Sequence, residues 1–362
     1  MSTEKVLMRG NDAIAEAAIR AGCWAYFGYP ITPQNEIPAY MSRHMLDKGR
    51  IFIQAESEIA AMVMVYGASC AGIRAMTTSS SPGMSLKQEG ISYAAGADVP
   101  CVIVNVSRGG PGLGNISPAQ SDYFQSTRGG GHGDYHCIVL APKSVQECAD
   151  HTYLAFDLAD EYRLPVIILV DGIIGQMVEG VVLPQEKSRE ELPKRSWTIG
   201  HMAKTAASNE TVRKPRQISS LEIVPETLEN QIKERFERYK TISKNEILVE
   251  QSETADADIV LVAYGTAARV CLGAQKLARK EGLKVGLFRL ITLWPFPSEA
   301  LGKIAENGKP LLAVEMSMGQ MVEDVRLSVM GKAPVHLLGR AGGVVPTEEE
   351  VFAEIKKVLG RN

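Results

Sequence analysis

The sequence predicts an α/β protein: a doubly wound parallel-sheet domain over residues 1–184, a charged connector over 185–253, and a smaller α/β domain over 254–362. Short β-branched runs with little alternation, Cys101 to Val106, Ile138 to Ala141 and Val166 to Val170, mark strands covered on both faces. Helical segments alternate with them, the order of a parallel sheet with crossover helices. Beyond Pro184 the composition shifts, with charge clusters at Glu186 to Arg195 and Lys233 to Lys240 and few apolar runs before Glu253.

In chain order, Asn11 to Ala21 reads as an amphipathic helix capped by Gly10-Asn11-Asp12, and Cys23 to Gly28 as a short strand. Ile51 to Ile53 is a second strand. Ser57 is placed to cap a helix reaching about Gly72. Arg74 to Thr78 is a strand, after which Ser79-Ser80-Ser81-Pro82-Gly83 turns into a helix through Ala95. A helix from Val145 to Tyr162 ends at Arg163-Leu164-Pro165. The connector carries one solvated helix, around Leu228 to Tyr239. The second domain follows as strand Asp258 to Ala263, turn Tyr264-Gly265-Thr266, helix Ala267 to Glu281 and strand Lys284 to Phe288. Leu311 to Val314 and Val335 to Leu338 are further strands, and the last helix starts near Glu348.

Composition narrows the function classes. A net charge of -3 gives no basic footprint for nucleic acid and no polybasic membrane signal. The start, Met-Ser-Thr-Glu-Lys-Val, lacks a basic-then-apolar leader, and no apolar run is long enough to span a bilayer, so a cytoplasmic location is expected. Cys23, Cys70, Cys101, Cys137, Cys148 and Cys271 are scattered without a Cys-x-x-Cys pair. They read as buried thiols rather than ligands of an iron–sulfur cluster or zinc.

Several segments carry chemistry. In Gly28-Tyr29-Pro30-Ile31-Thr32-Pro33 two prolines remove donors and push their predecessors to extended geometry, giving a stiff loop that presents the Thr32 hydroxyl. The alternative is an ordinary strand-to-helix turn. Glu56 and Glu58 precede an apolar run; desolvation would favour the neutral acid, whereas a helix start favours the anion. Ser79 to Gly83 is either an anion cradle or a plain capping turn, without the Lys-Ser/Thr ending of a phosphate loop. Arg108 follows a buried strand, where open α/β sheets place ligands, and could clamp a carboxylate; otherwise it is a solvated strand-end charge. The glycine-rich stretch from Gly109 to Gly133 reads as an ordered lid. His132 and His136 have metal-like spacing, but the glycines oppose a helix that would hold both, and no metal site is expected on this chain.

Together, Tyr29 to Glu36, Gln54 to Ala60, Ser79 to Gly83 and Arg108 to Gly114 resemble, in order and spacing, the 2-oxoacid:ferredoxin oxidoreductase subunit that carries the pyrimidine-side thiamine diphosphate domain. The likeness is to the branched-chain (3-methyl-2-oxobutanoate, or 2-oxoisovalerate) type and covers nearly the whole chain. It implies that Glu58, rather than Glu56, contacts N1′ of the aminopyrimidine and favours the imino tautomer that removes the thiazolium proton. It implies Thr32 and Arg108 as substrate-binding, with Tyr29, Pro30, Ser80 and Ser81 beside Glu58 in holding cofactor. The second domain resembles the C-terminal domain of transketolase-like enzymes, with Val262 to Thr266 as its opening. Val170-Asp171-Gly172 departs from the family's metal-binding Gly-Asp-Gly, so Mg²⁺ and the diphosphate are expected on a partner subunit. Iron–sulfur clusters are expected on a ferredoxin-like subunit, with a gamma-type subunit completing the complex. The implied reaction oxidatively decarboxylates a 2-oxoacid with CoA to acyl-CoA and CO₂, reducing ferredoxin. Alternatives are a 2-oxoglutarate- or aryl-pyruvate-specific member, a non-oxidative thiamine diphosphate enzyme, and a non-catalytic scaffold subunit.

Overall fold

The structure, a computed structural model, describes residues 4–199, 202–204, 211–213 and 216–361. The first half runs β1 (Val6–Arg9), α1 (Gly10–Arg20), β2 (Ala25–Gly28), α2 (Glu36–Asp47), β3 (Ile51–Gln54), α3 (Glu58–Cys70), β4 (Ala75–Ser79), α4 (Ser81–Gly96) and β5 (Cys101–Ser107). It continues as α5 (Tyr123–Thr127), β6 (Ile138–Leu140), α6 (Val145–Tyr162), β7 (Pro165–Asp171), α7 (Gly172–Gln176) and β8 (Val178–Val181). Next come the paired β9 (Met202–Lys204) and β10 (Thr211–Arg213), then α8 (Pro225–Asn245). The rest is β11 (Val249–Ser252), β12 (Ile259–Ala263), α9 (Gly265–Lys280), β13 (Val285–Leu290), β14 (Thr292–Trp294), α10 (Ser298–Ala305), β15 (Leu311–Glu315), α11 (Met321–Val329), β16 (Val335–Gly339) and α12 (Glu348–Val358).

The larger sheet has seven strands in the order β14-β6-β7-β5-β4-β2-β3, and β2 to β7 pair in parallel. Alternation along β5 feeds both faces. Cys101 and Ile103 pack with Met62 and Val65 of α3 and Met84 and Ile91 of α4. Val102, Val104 and Val106 pack with Ile14 and Ile19 of α1, Met41 of α2 and Phe156 of α6. Both faces are therefore apolar, and a strand buried twice reads as an unbroken hydrophobic run. Leaving β2, the chain crosses by α2 on one face to the edge strand β3, then returns by α3 on the other to β4. The direction of winding switches between β2 and β4. At such a point the crevice beyond the carboxyl ends is the expected ligand position.

The smaller sheet, β11-β13-β12-β15-β16, is parallel except for β11. The two halves exchange strands. β11, in the segment read as connector, pairs with β13, while β14 pairs antiparallel with β6 of the larger sheet. A charge lock crosses between them: Arg289 on β13, with its side chain 2% exposed, reaches Glu147 on α6 at 2.7 Å and Glu250 on β11 at 3.0 Å. Only the guanidinium is deeply buried, since the Glu147 and Glu250 side chains are 20% and 46% exposed. Arg289→Met is therefore expected to lower unfolding stability by about 1.5 kcal/mol, the scale of a charge-assisted hydrogen bond, read from the midpoint of a denaturant titration.

Three local expectations are corrected. Asn11 does not cap α1: the helix begins at Gly10, and the Asn11 amide leaves it to donate to Pro33 O at 2.8 Å and Glu36 at 2.7 Å. The connector helix runs Pro225–Asn245, and it is not solvated all round, because Arg235, Tyr239 and Ile242 are buried. Its charge-rich composition hides that narrow stripe. The connector range also contains residues 200–201, 205–210 and 214–215, which lie outside the described residues. Finally, the glycine-rich stretch is fastened down instead of forming a lid. Gln120 exchanges hydrogen bonds with Tyr264 and Met316, Tyr123 donates to Asp324 at 2.7 Å, and Asn115 donates to Gly342 O at 2.9 Å. Gly114 at φ +59 sits where a Cβ would lie 1.7 Å from Gly109 O, so this turn admits only glycine.

Candidate active site

The carboxyl ends of β2, β3, β4 and β5 deliver the singled-out residues to one edge of the larger sheet. After β2, the proline loop is held from both sides. Pro33 O accepts from Asn11 and from Gln176 at 3.1 Å, and buried Gln34 donates to Tyr29 O at 3.2 Å while accepting from Thr78. Stiffness therefore comes from these anchors as well as from proline. Tyr29 and Pro30 are exposed at its tip. Thr32 is half-buried; its hydroxyl accepts from Asn35 at 3.3 Å and keeps its own proton to donate.

Arg108 is buried rather than solvated, at 7% exposure. Its Nη1 donates to Thr32 O at 2.9 Å and its Nη2 to Leu113 O at 3.0 Å, so one guanidinium ties the proline loop to the glycine-rich loop. Its Nε lies buried without a partner. Ser81 fixes the backbone beneath: its hydroxyl accepts from Arg108 N at 2.9 Å and donates to Asp122 at 2.6 Å, and Asn105 donates to the same Asp122 oxygen at 2.8 Å. The Ser81 hydroxyl is thus committed to holding Arg108 and Asp122.

Glu58 opens α3 behind its cap Ser57, which accepts from Ala60 N at 3.2 Å. Its side chain turns inward (6% exposed), whereas Glu56 stays exposed. The carboxylate lies over the first turn of α4 at Gly83, where a Cβ would stand 2.5 Å from Glu58 Oε1 and 2.1 Å from Ser79 Oγ. Any side chain at position 83 would displace the acid. The hydroxyls of Ser79 and Ser80, both fully buried, have no partner, and Ser80 makes no side-chain cap for α4. Buried hydroxyls normally find a hydrogen bond, so this pair beside a buried carboxylate leaves hydrogen-bonding capacity that the chain itself does not fill.

Lys87 escaped the sequence reading. Fully buried one turn along α4 from Gly83, it donates from Nζ to Glu58 O at 3.2 Å and Thr77 Oγ1 at 3.0 Å. Its spacing from Gly83 and Gly90, four residues and three, was the available signal, because those positions share one helix face. His136 stacks on Trp294 at 4.6 Å, away from these groups, and His132 is exposed. All six cysteines are buried and unpaired, and burial pushes the Cys23 thiol up to about 12. The carboxylate of Asp171 is engaged within the chain, by the N–H groups of Ile173 and Ile174 and by the Thr266 hydroxyl at 2.9 Å. No described helix is long and apolar enough to cross a membrane.

Two family models match: "Pyruvate flavodoxin/ferredoxin oxidoreductase, thiamine diP-bdg" over residues 16–249 and "Pyruvate:ferredoxin oxidoreductase core domain II" over residues 257–351. The chain is 48% identical to ketoisovalerate oxidoreductase subunit VorB of Methanothermobacter marburgensis, across 100% of this chain and 99% of that one. It is 36% identical to the 2-oxoglutarate synthase subunit KorA of the same organism, across 99% of each. Among solved structures it superposes with a TM-score of 0.85 and 27% identity on 2-oxoglutarate:ferredoxin oxidoreductase from Magnetococcus marinus, a structure with 2-oxoglutarate, coenzyme A and succinyl-CoA bound. That match covers 98% of this chain and 65% of the solved one. A split-gene transketolase, an inactive beta4 tetramer, shares the fold at a TM-score of 0.58 and 14% identity, over 98% of each chain.

Proposed function

The chain belongs to the 2-oxoacid:ferredoxin oxidoreductase family, and from that premise we propose that it supplies the pyrimidine-side half of the thiamine diphosphate site in an enzyme of the branched-chain type. The reaction is the CoA-dependent oxidative decarboxylation of a branched 2-oxoacid, 3-methyl-2-oxobutanoate above all, to acyl-CoA and CO₂, with ferredoxin taking the electrons. The observation that carries the site reading is the burial of Glu58 over Gly83 beside the unpartnered hydroxyls of Ser79 and Ser80. An inward carboxylate with neighbouring hydroxyls fits a flat aminopyrimidine, whose ring nitrogens and amino group need acceptors and donors together. The substrate class rests on the higher full-length identity to the ketoisovalerate subunit than to the 2-oxoglutarate subunit.

Thiamine diphosphate, when bound, supplies the carbanion-stabilising chemistry, and the protein supplies placement and electrostatics. On this chain Glu58 would face the aminopyrimidine and exchange a proton with it, and Ser80 would offer the nearby hydroxyl. Thr32 and Arg108 receive the 2-oxoacid carboxylate: the free Thr32 proton and the Arg108 N–H groups left over after its bonds to Thr32 O and Leu113 O are donors not already used within the chain. Ser81 acts behind them by fixing Arg108. Tyr29 and Pro30, exposed at the loop tip, line the cofactor where the partner closes over it. The Asp171 carboxylate is spent internally, so Mg²⁺ and the diphosphate fall to a partner thiamine subunit. A gamma-type subunit and a ferredoxin-like iron–sulfur subunit complete a cytoplasmic complex. The test is a panel of 2-oxoacids assayed for CoA-dependent ferredoxin reduction by the assembled complex. The kcat/KM for 3-methyl-2-oxobutanoate is expected to exceed that for 2-oxoglutarate by about tenfold or more, and a preference for 2-oxoglutarate would overturn the substrate assignment.

A further inference from the structure

Lys87 is a fully buried ammonium whose hydrogen bonds go to a backbone carbonyl, Glu58 O, and a neutral hydroxyl, Thr77 Oγ1. No carboxylate among the described residues forms an ion pair with it. Burying a lysine this way is costly, and such groups persist where their charge has a use. Around it, β4 contributes Thr77 and, at its end, Ser79, both neutral; α3 contributes Glu58, the one ionisable group whose field acts on it. On its own helix, Gly83 opens the space through which the Glu58 side chain passes. Lys87 thus holds the backbone of Glu58, whose carboxylate lies at Gly83 together with the unpartnered Ser79 hydroxyl.

We propose that Lys87 is a positioning residue for the catalytic acid: its ammonium pins the first turn of α3 through Glu58 O and places a buried positive charge in the neighbourhood of the Glu58 side chain. The proposal rests on the reading of Glu58 as the residue that works on the cofactor ring. Its charge has a thermodynamic signature of its own. Burial holds the Lys87 ammonium down at about 7 from the ordinary 10.5, with the Glu58 charge opposing that shift. The folded state therefore binds fewer protons than the unfolded chain between these values, and this group's contribution makes stability rise with pH across that window.

Two variants test it in the assembled complex. Lys87→Met removes the charge and the donor, while Lys87→Gln keeps a donor and removes the charge. In cofactor-free complex, the rise in thermal midpoint between about pH 7 and pH 9 is expected to shrink in both variants relative to the unaltered protein. With cofactor, the acid limb of the kcat profile is expected to move up by about one pH unit in both. A midpoint that rises as in the unaltered protein would show that Lys87 is not the titrating group, and an unmoved kcat limb would show that its charge does not act on catalysis. A Gln variant with the unaltered profile would reduce Lys87 to a hydrogen-bond donor; each of these outcomes overturns the proposal. Should the Met variant fail to assemble, the Gln variant decides both readings. Retention of activity by Glu58→Gln would instead strike the underlying assignment of Glu58, so the two failures are separable.

Discussion

The Glu58→Ala complex is expected to assemble normally and to reduce ferredoxin with its 2-oxoacid about 10³-fold more slowly, the scale of losing a well-placed acid–base group. Assembly should survive because this side chain bears little of the local structure. The cap of α3 is Ser57, and the bond from Lys87 goes to the Glu58 carbonyl, which alanine retains. What the substitution removes in stability terms is a carboxylate at a helix start, about 0.3–1 kcal/mol. The catalytic loss is large because the neighbours are poorly placed to stand in: Glu56 points outward into solvent, the hydroxyls of Ser79 and Ser80 are far too weakly acidic, and the Lys87 amine is directed to Glu58 O and Thr77 Oγ1. Size-exclusion of the reconstituted complex checks assembly, and steady-state ferredoxin reduction checks the rate. Near-normal turnover would remove Glu58 from the chemistry.

How much of this was legible in the sequence depended on whether a residue's partner was local. α6, spanning Val145–Tyr162, and the buried strands β5 and β7 were readable because their burial on one or both faces is written in period and composition. α2 drew no expectation: Pro38 interrupts its pattern, although proline in a first turn is tolerated, and Ile37, Met41 and Met45 make its buried stripe. β14 is a three-residue strand whose pairing with β6 is decided by the packing of the halves, not by its own residues. The site divided in the same way. The proline loop, Glu58 and Arg108 announced themselves by residue type next to a strand end. Anchors such as Asn11 to Pro33, separated by 22 positions, and Lys87 beneath Glu58 act only through the fold. The glycine-rich stretch was legible as a long ordered segment, but its fastening to Tyr264, Met316 and Asp324 lies at the far end of the chain.

Those long-range ties decide the outcome expected for Arg108→Ala: kcat/KM for the 2-oxoacid falling about 10²-fold, mostly through a raised KM. A charge-assisted hydrogen bond contributes about 1.5–3 kcal/mol, the equivalent of roughly tenfold to a hundredfold in binding. The substitution acts twice, since the same guanidinium joins Thr32 O to Leu113 O and keeps further N–H donors for the ligand. Without it, the substrate carboxylate loses a donor and the proline loop loses its tie to the glycine-rich loop, so the Thr32 hydroxyl is held less firmly. Thiamine diphosphate affinity should change little, because the group over Gly83 is Glu58, and Ser81 still has Asp122 to hold it. Arg108→Lys separates the two effects. A lysine keeps the charge but carries a single nitrogen, which cannot span both carbonyls and face the ligand as the planar fork does. It should therefore recover only part of the lost KM. Full recovery would mean that charge alone matters at this position, and an unchanged KM in the alanine variant would remove Arg108 from substrate binding altogether.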